Sequence, residues 1–160
     1  MARALHESVI ILRMTNNDLI EQAASVINHY MAGVSADRLC GDVGAALISE
    51  TGNVHTGVCI DTPGWGLCAE RSAIAAMVTA KEYNIAKIVA VWKDQKDGKL
   101  YVLPPCGTCR QFMRDINEAN LETKVLLGRT REVQLKELLP YHEWPEPLEV
   151  DFDDRAERAS

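Results

Sequence analysis

No apolar run in this 160-residue sequence approaches the roughly 20 residues that a membrane-spanning helix requires. The stretch Val9-Ile10-Ile11-Leu12 is short and gives way to Arg13 and Asn16, with neither the apolar core nor the small-residue cleavage site of a secretory signal. A surplus of positive charge is also missing. Lys and Arg number 17 against 23 Asp and Glu, for a net charge of −6, and no basic stripe offers a grip on phosphates. Nucleic acid and membranes are therefore not expected partners, while small free substrates remain open. An even cysteine framework is absent too: the five are Cys40, Cys59, Cys68, Cys106 and Cys109. In a chain expected to be cytoplasmic, clustered cysteines point to metal binding or redox chemistry rather than disulfides.

The rest is ordinary for a globular protein, with 47% hydrophobic and 25% charged residues. No internal repeat or linker divides the chain, which is long enough for one domain with its own core. Thr15 or Asn16 can cap a helix running to about Met31, with Leu19, Ile20, Ala23, Ile27 and Tyr30 at helical spacing. Asp42 to Ser49 and Val54 to Ile60 read as a hairpin about the turn Glu50-Thr51-Gly52-Asn53. Pro63, Gly64 and Gly66 mark Asp61 to Leu67 as a loop. A helix follows from about Ala69 to Glu82. Strands are expected at Ile88 to Trp92, Leu100 to Leu103 and Lys124 to Leu127. Gly107 to Ile116 and Val133 to Leu139 read as helices. The expected organisation is an extension over residues 1–14, one domain over 15–148 and an acidic, mobile tail over 149–160. Alternating strands and helices predict a layered α/β domain.

Three cysteines fall where helices begin. Cys68 stands where a loop enters a helix, and Cys106 and Cys109 where Pro105 hands over to the next. Helix N-termini favour thiolate, the zinc-binding form. Cys106-Gly107-Thr108-Cys109 has chelating C-x-x-C spacing, and Cys68 makes a third ligand. Structural zinc is usually closed by four protein ligands, whereas catalytic zinc keeps a place for water, whose pKa falls toward ~7. Glu70, two residues after Cys68, can reach that water without being a ligand. It can take a proton from it, protonate a ring nitrogen and then deliver a proton to departing ammonia. Three thiolates around Zn²⁺ leave one net negative charge, which Arg71 can offset by donating to a thiolate sulfur.

Cys68-Ala69-Glu70 with Pro105-Cys106-Gly107-Thr108-Cys109 resembles the cytidine deaminase superfamily in its three-cysteine form. The longer segments Cys68-Ala69-Glu70-Arg71-Ser72-Ala73-Ile74 and Pro105-Cys106-Gly107-Thr108-Cys109-Arg110-Gln111 are similar to the branch acting on free nucleosides, which also includes blasticidin S deaminases. Val43 to Leu47 and Leu135 to Pro140 are weaker likenesses to the same branch, so the resemblance spans roughly Asp42 to Pro140. It implies a three-layer α/β/α sandwich with a mixed five-stranded sheet and a Zn²⁺ cofactor. It also implies water attack at C4 of a cytosine ring, leaving uracil and ammonia, and a homotetramer with active sites at subunit contacts. Deaminases of deoxycytidylate and of RNA adenosine usually carry His where this chain has Cys68.

By the same resemblance, Cys59, Asp61, Ala69 and Pro105 are candidate substrate contacts. Yet cytidine deaminases usually hold the ribose with Asn-x-Glu, and here Cys59 and Asp61 stand at those places, the former a weaker hydrogen-bonding group. The Phe that often precedes the Val-Gly-Ala-Ala segment is replaced by Gly41-Asp42. These departures predict a substrate other than plain cytidine, such as blasticidin S or another aminated base, or a ribose held differently.

Each residue also has a plainer role open to it. Cys59 suits a small buried packing position, Cys40 a core or loop thiol, and Trp92 the core. Glu70 alone would suit a helix N-terminus. Trp65 either caps a pocket or anchors its loop. Tyr141 and Trp144 read as packing residues or an interface. His55 is the nearest fourth zinc ligand by sequence but is expected to face solvent. The competing function is a non-catalytic, zinc-stabilised binding protein of the same fold.

Overall fold

The computed structural model describes residues 14–31, 39–62 and 64–143. The expected extension, Met14 apart, the acidic tail and Trp144 lie outside these residues. Helix α1 (Asn16–Ser25) opens with a capping box in which Thr15 Oγ1 accepts from Asp18 N–H and the Asp18 carboxylate accepts from Thr15 N–H. It stops well short of Met31. Asn28 N–H donates to Gly41 C=O, and β1 (Tyr30–Met31) pairs with β2 (Leu39–Cys40). Ile27 still reaches the core, but from the turn after the helix.

The central sheet has six strands, β3 (Val43–Ser49), β4 (Val54–Val58), β7 (Ile85–Lys93), β8 (Leu100–Leu103), β9 (Lys124–Leu126) and β10 (Glu132–Gln134). Their order is β10-β9-β7-β3-β4, and β8 pairs with the later half of β7. The sheet is mixed, because β7 and β9 run parallel while the other described pairs are antiparallel. Side chains alternate strictly between its faces. Ala46, Ile48, Val89, Val91 and Leu126 meet Leu19, Ile20 and Ala23 of α1 on one side. Ala45, Leu47, Ile88, Ala90 and Val125 meet the other helices on the opposite side. These are α2 (Ala69–Thr79), α3 (Gly107–Ile116) and the one-turn α4 (Leu135–Leu138). The result is the expected three-layer α/β/α sandwich, and it explains why β7 reads as an unbroken apolar run.

Other boundaries differ from expectation as well. The segment read as a loop is a small hairpin of β5 (Ile60–Thr62) and β6 (Trp65–Leu67), turned with Gly64 at φ 89°. The helix expected over Val133 to Leu139 begins as strand β10, which edges the sheet before α4 makes its single turn. Helix α2 ends at Thr79 rather than Glu82, with Lys81 at a positive φ just beyond it.

Two buried polar side chains hold the approach to β7. Asn120 accepts from Ile85 N–H and donates to Tyr83 and Met113 carbonyls, and Thr123 Oγ1 donates to Ile85 C=O. Glycine sets how closely α2 lies on the sheet. A Cβ at Gly57 of β4 would sit 2.2 Å from Ala73 N and 2.7 Å from Ala69 O. Only hydrogen fits there, so the first turns of α2 lie directly on β4.

Candidate active site

Cys68 and Cys106 are the N-cap residues of α2 and α3, both with extended backbone and neither spending its side chain on a cap hydrogen bond. Their sulfurs are left free to face each other, 3.7 Å apart. Cys109, one turn into α3 and fully buried, completes a cluster whose three sulfurs all lie within 4.8 Å of one another. Zn–S bonds of about 2.3 Å at tetrahedral angles place sulfurs about 3.8 Å apart. The donor set and its spacing therefore fit zinc. No fourth described His, Cys, Asp or Glu joins the cluster. His55 instead binds Glu82 through Nε2–Oε2 at 2.6 Å, its side chain 11% exposed, so it is neither a ligand nor solvent-facing.

Burial pushes the Cys109 and Cys68 thiols up, and for Cys109 the nearby Glu70 and the other two sulfurs add to it. Burial acts the same way on Cys106, but hydrogen bonds from the Cys109 backbone and from both neighbouring sulfurs outweigh it and bring that thiol down. Three sulfurs this crowded, with protons unevenly shared among them, are the kind of group a divalent cation relieves. Arg71 stands on the outer side, where Nη2 donates to Gly66 C=O at 2.9 Å and approaches Cys68 Sγ at 3.9 Å. It thereby ties the β5–β6 hairpin to the first cysteine. Arg110 does the same for the second helix, donating to Pro105 C=O at 2.8 Å and to Leu138 C=O at 2.9 Å.

Glu70 is 6% exposed on the inner side of α2. Burial pushes its carboxyl up, against weaker opposing hydrogen bonds from its own backbone and Cys109 and the charge of Arg71. It opens onto a cleft of about 320 Å³, within the size range of small-ligand sites. Glu70, Cys68 and Cys106 stand in the same wall as Cys59, Asp61 and Ala69. Pro105 is not part of that lining; its neighbour Pro104 is, while Pro105 packs in the apolar seam behind Glu70 with Ile88 and Val125. Trp65 is 79% exposed on the hairpin and does not line the cleft, although its neighbours Gly66 and Leu67 do.

Cys59 is both a buried residue and part of the cleft, its Sγ donating to Asp42 Oδ1 at 3.4 Å. Asp42 was legible only as a departure at the start of a strand. In the fold it lines the cleft and also accepts from Trp92 Nε1 at 3.0 Å, so Trp92 is half-buried and polar-bonded rather than simply core. Cys40 is buried, with its Sγ on Asp61 C=O at 3.4 Å. Tyr141 is fully open to solvent, at 99%.

A family model, the cytidine and deoxycytidylate deaminase zinc-binding region, matches residues 19–123. A cytidine deaminase of Halalkalibacterium halodurans is 36% identical over 104 residues, covering 61% of this chain and 74% of that protein. A blasticidin-S deaminase of Bacillus cereus is 30% identical over 103 residues, with the same two coverages. The crystal structure of a cytidine deaminase from Burkholderia pseudomallei superposes with a TM-score of 0.62 at 28% identity, covering 80% of this chain and 98% of that one.

Proposed function

Because this chain belongs to the cytidine and deoxycytidylate deaminase family and carries its zinc-binding region, we propose that it hydrolyses the exocyclic amino group of a cytosine nucleoside or related aminopyrimidine. One observation carries the reading: three cysteine sulfurs converge beside a buried glutamate, and both open onto one cleft. Cys68, Cys106 and Cys109 would hold the zinc, which when bound supplies a Lewis acid able to make water nucleophilic at neutral pH.

The remaining chemistry falls to the chain's own groups. Water oxygen replaces the amino group at C4, and ammonia leaves. Two proton movements accompany this exchange, one to ring N3 and one to the departing nitrogen, and the Glu70 carboxyl serves both. Its raised proton affinity suits a group that must hold a proton between the two steps. Arg71 keeps Cys68 oriented and offsets excess negative charge at the sulfurs. The apolar seam of Ile88, Val125 and Pro105 behind Glu70 keeps its carboxyl dry.

Cys59, Asp61 and Ala69 line the cleft and are the substrate contacts of this reading. Pro105, expected among these contacts, stands outside the cleft lining, its carbonyl held by Arg110 just before Cys106. The reading takes residues 15–148 as one deaminase domain, between an extension and an acidic tail. Partners are a small nucleoside-like substrate and further copies of the same chain, a tetramer by resemblance, with neither nucleic acid nor membrane among them. The exposed Trp65 and Tyr101 support a contact between copies. Five free cysteines suit the reducing cytoplasm. Metal analysis with an ammonia-release screen on cytidine, deoxycytidine, cytosine and blasticidin S tests the proposal. Stoichiometric zinc with ammonia from at least one compound is expected; zinc without ammonia would mark a binding protein of the same fold.

A further inference from the structure

The guanidinium of Arg110 spans two backbone carbonyls from distant parts of the chain. Nε donates to Pro105 C=O at 2.8 Å, and Nη1 donates to Leu138 C=O at 2.9 Å. Pro105 is buried and immediately precedes Cys106, the exposed N-cap of α3. Cys106 makes no side-chain bond to its own helix, so the direction of its Sγ follows the backbone that leads into it. The peptide group between Pro105 and Cys106 is planar. Holding the Pro105 carbonyl therefore also holds the nitrogen and Cα of Cys106. The second carbonyl closes α4. Leu138 ends that single turn, where a carbonyl has no partner within the helix. The start of α4 is anchored independently. Leu135 is fully buried in the same core as Ala73 and Ile74 of α2, and its N–H donates to Thr123 C=O at 2.9 Å. Leu138 packs against that core as well. A guanidinium is a rigid plane, so its two donors keep the two carbonyls in a set relation.

We infer that Arg110 is a positioning residue for Cys106, and that through it zinc retention depends on how α4 is docked, although Leu138 lies 28 residues further along the chain. The inference rests on Cys106 as a zinc ligand and deepens the proposed function: the metal end of α3 is oriented from the C-terminal side of the domain.

The test measures the zinc affinity of the full chain by competition with a chelator, together with melting temperature across a series of zinc concentrations. Arg110→Gln should weaken zinc binding by about 10- to 100-fold, the range found when a group that orients a ligand is removed. Arg110→Lys keeps a donor for one carbonyl and should fall between that variant and the wild type. Leu138→Ala loosens α4 without touching the guanidinium and should weaken zinc binding several-fold. Combining it with Arg110→Gln should cost no more than Arg110→Gln alone, because both act through one contact. In each variant the deficit in melting temperature should widen as zinc is added. Unchanged zinc affinity, with melting lowered equally at every zinc concentration, would overturn the inference, since Arg110 would then only support the fold. Additive losses in the double variant would overturn the link to α4. Affinity is read without turnover, so zinc binding without ammonia release would count against the deaminase reading alone. A wild type that binds no zinc would bring down both.

Discussion

Glu70 and Glu82 flank the same helix and have opposite fates. Glu70, in the first turn of α2, is buried with few donors, and desolvation raises its proton affinity. Glu82, just past the other end, is also shielded, its side chain 12% exposed, but it is surrounded by donors. Burial pushes Glu82 up too, yet the hydrogen bonds from Thr51, His55, Asn53 and Ser49 together outweigh it and hold the carboxyl at about 2. One carboxylate is left under-satisfied beside three sulfurs and a cleft. The other is saturated and clasps the β3–β4 turn to the end of α2. The same residue type thus binds its proton more tightly where donors are withheld, as the proposed chemistry requires, and serves stability where they are supplied.

The sharpest way to break this contrast is Glu70→Gln. Turnover should fall by about 10² to 10⁴, the share that a positioned acid–base group supplies, while zinc content and melting temperature hold. Loss of zinc in that variant would make Glu70 structural and erase the distinction. Cys106→Ala should cost both metal and fold. At free zinc about a thousandfold above its Kd, the wild type gains about 4 kcal/mol that the variant forfeits, read as a melting point that no longer responds to added zinc.

Gly57→Ala probes how the first site is held. A methyl group there meets Ala73 N and Ala69 O, so α2 must shift. About 1–3 kcal/mol of stability should go by overpacking. Turnover should fall as well, because Cys68 and Glu70 ride on the displaced turn; an unchanged kcat would show that the turn is not held by this contact.

Glu82→Ala is the complementary test. It leaves donors on Thr51, Asn53 and His55 without their acceptor and should cost about 1–3 kcal/mol at neutral pH, with kcat/KM unchanged. The pH profile carries the sign. Because the folded value of about 2 lies below the ordinary 4.5, the stabilisation by Glu82 is complete above pH 4.5. It fades as pH falls toward 2. Denaturant melts across that window should converge for wild type and variant; parallel curves would remove Glu82 from the account.

Much of the fold was legible because its signals are local. The apolar run around Val89, the hairpin about Gly52-Asn53 and the helix cap at Thr15 each act within a few residues. Where long-range pairing decided, the reading erred. Helical periodicity continued through Ile27 to Tyr30, but pairing of Tyr30 with Cys40 ended the helix at Ser25. Pro63, Gly64 and Gly66 suggested an irregular loop, yet the backbone of Asp61 and Gly66 closes a ladder. His55 sits on an alternating strand and so was assigned to solvent, but its partner Glu82 arrives from 27 residues away.

The sequence by itself determined the candidate reactive set. Cysteines at two helix starts and a glutamate two residues after the first follow from spacing, and helix N-termini impose the same electrostatics wherever they occur. Cys59, Asp61 and Ala69 were expected beside that set by resemblance, but that Asp42 shares the cleft and Pro105 does not was decided only by the tertiary structure. Asp42, Cys59 and Asp61 come together with Glu70 because β3, the β4–β5 segment and α2 converge across the sheet. Charge accumulates there through distances in space, and spacing along a chain does not encode those distances until the sheet is assembled.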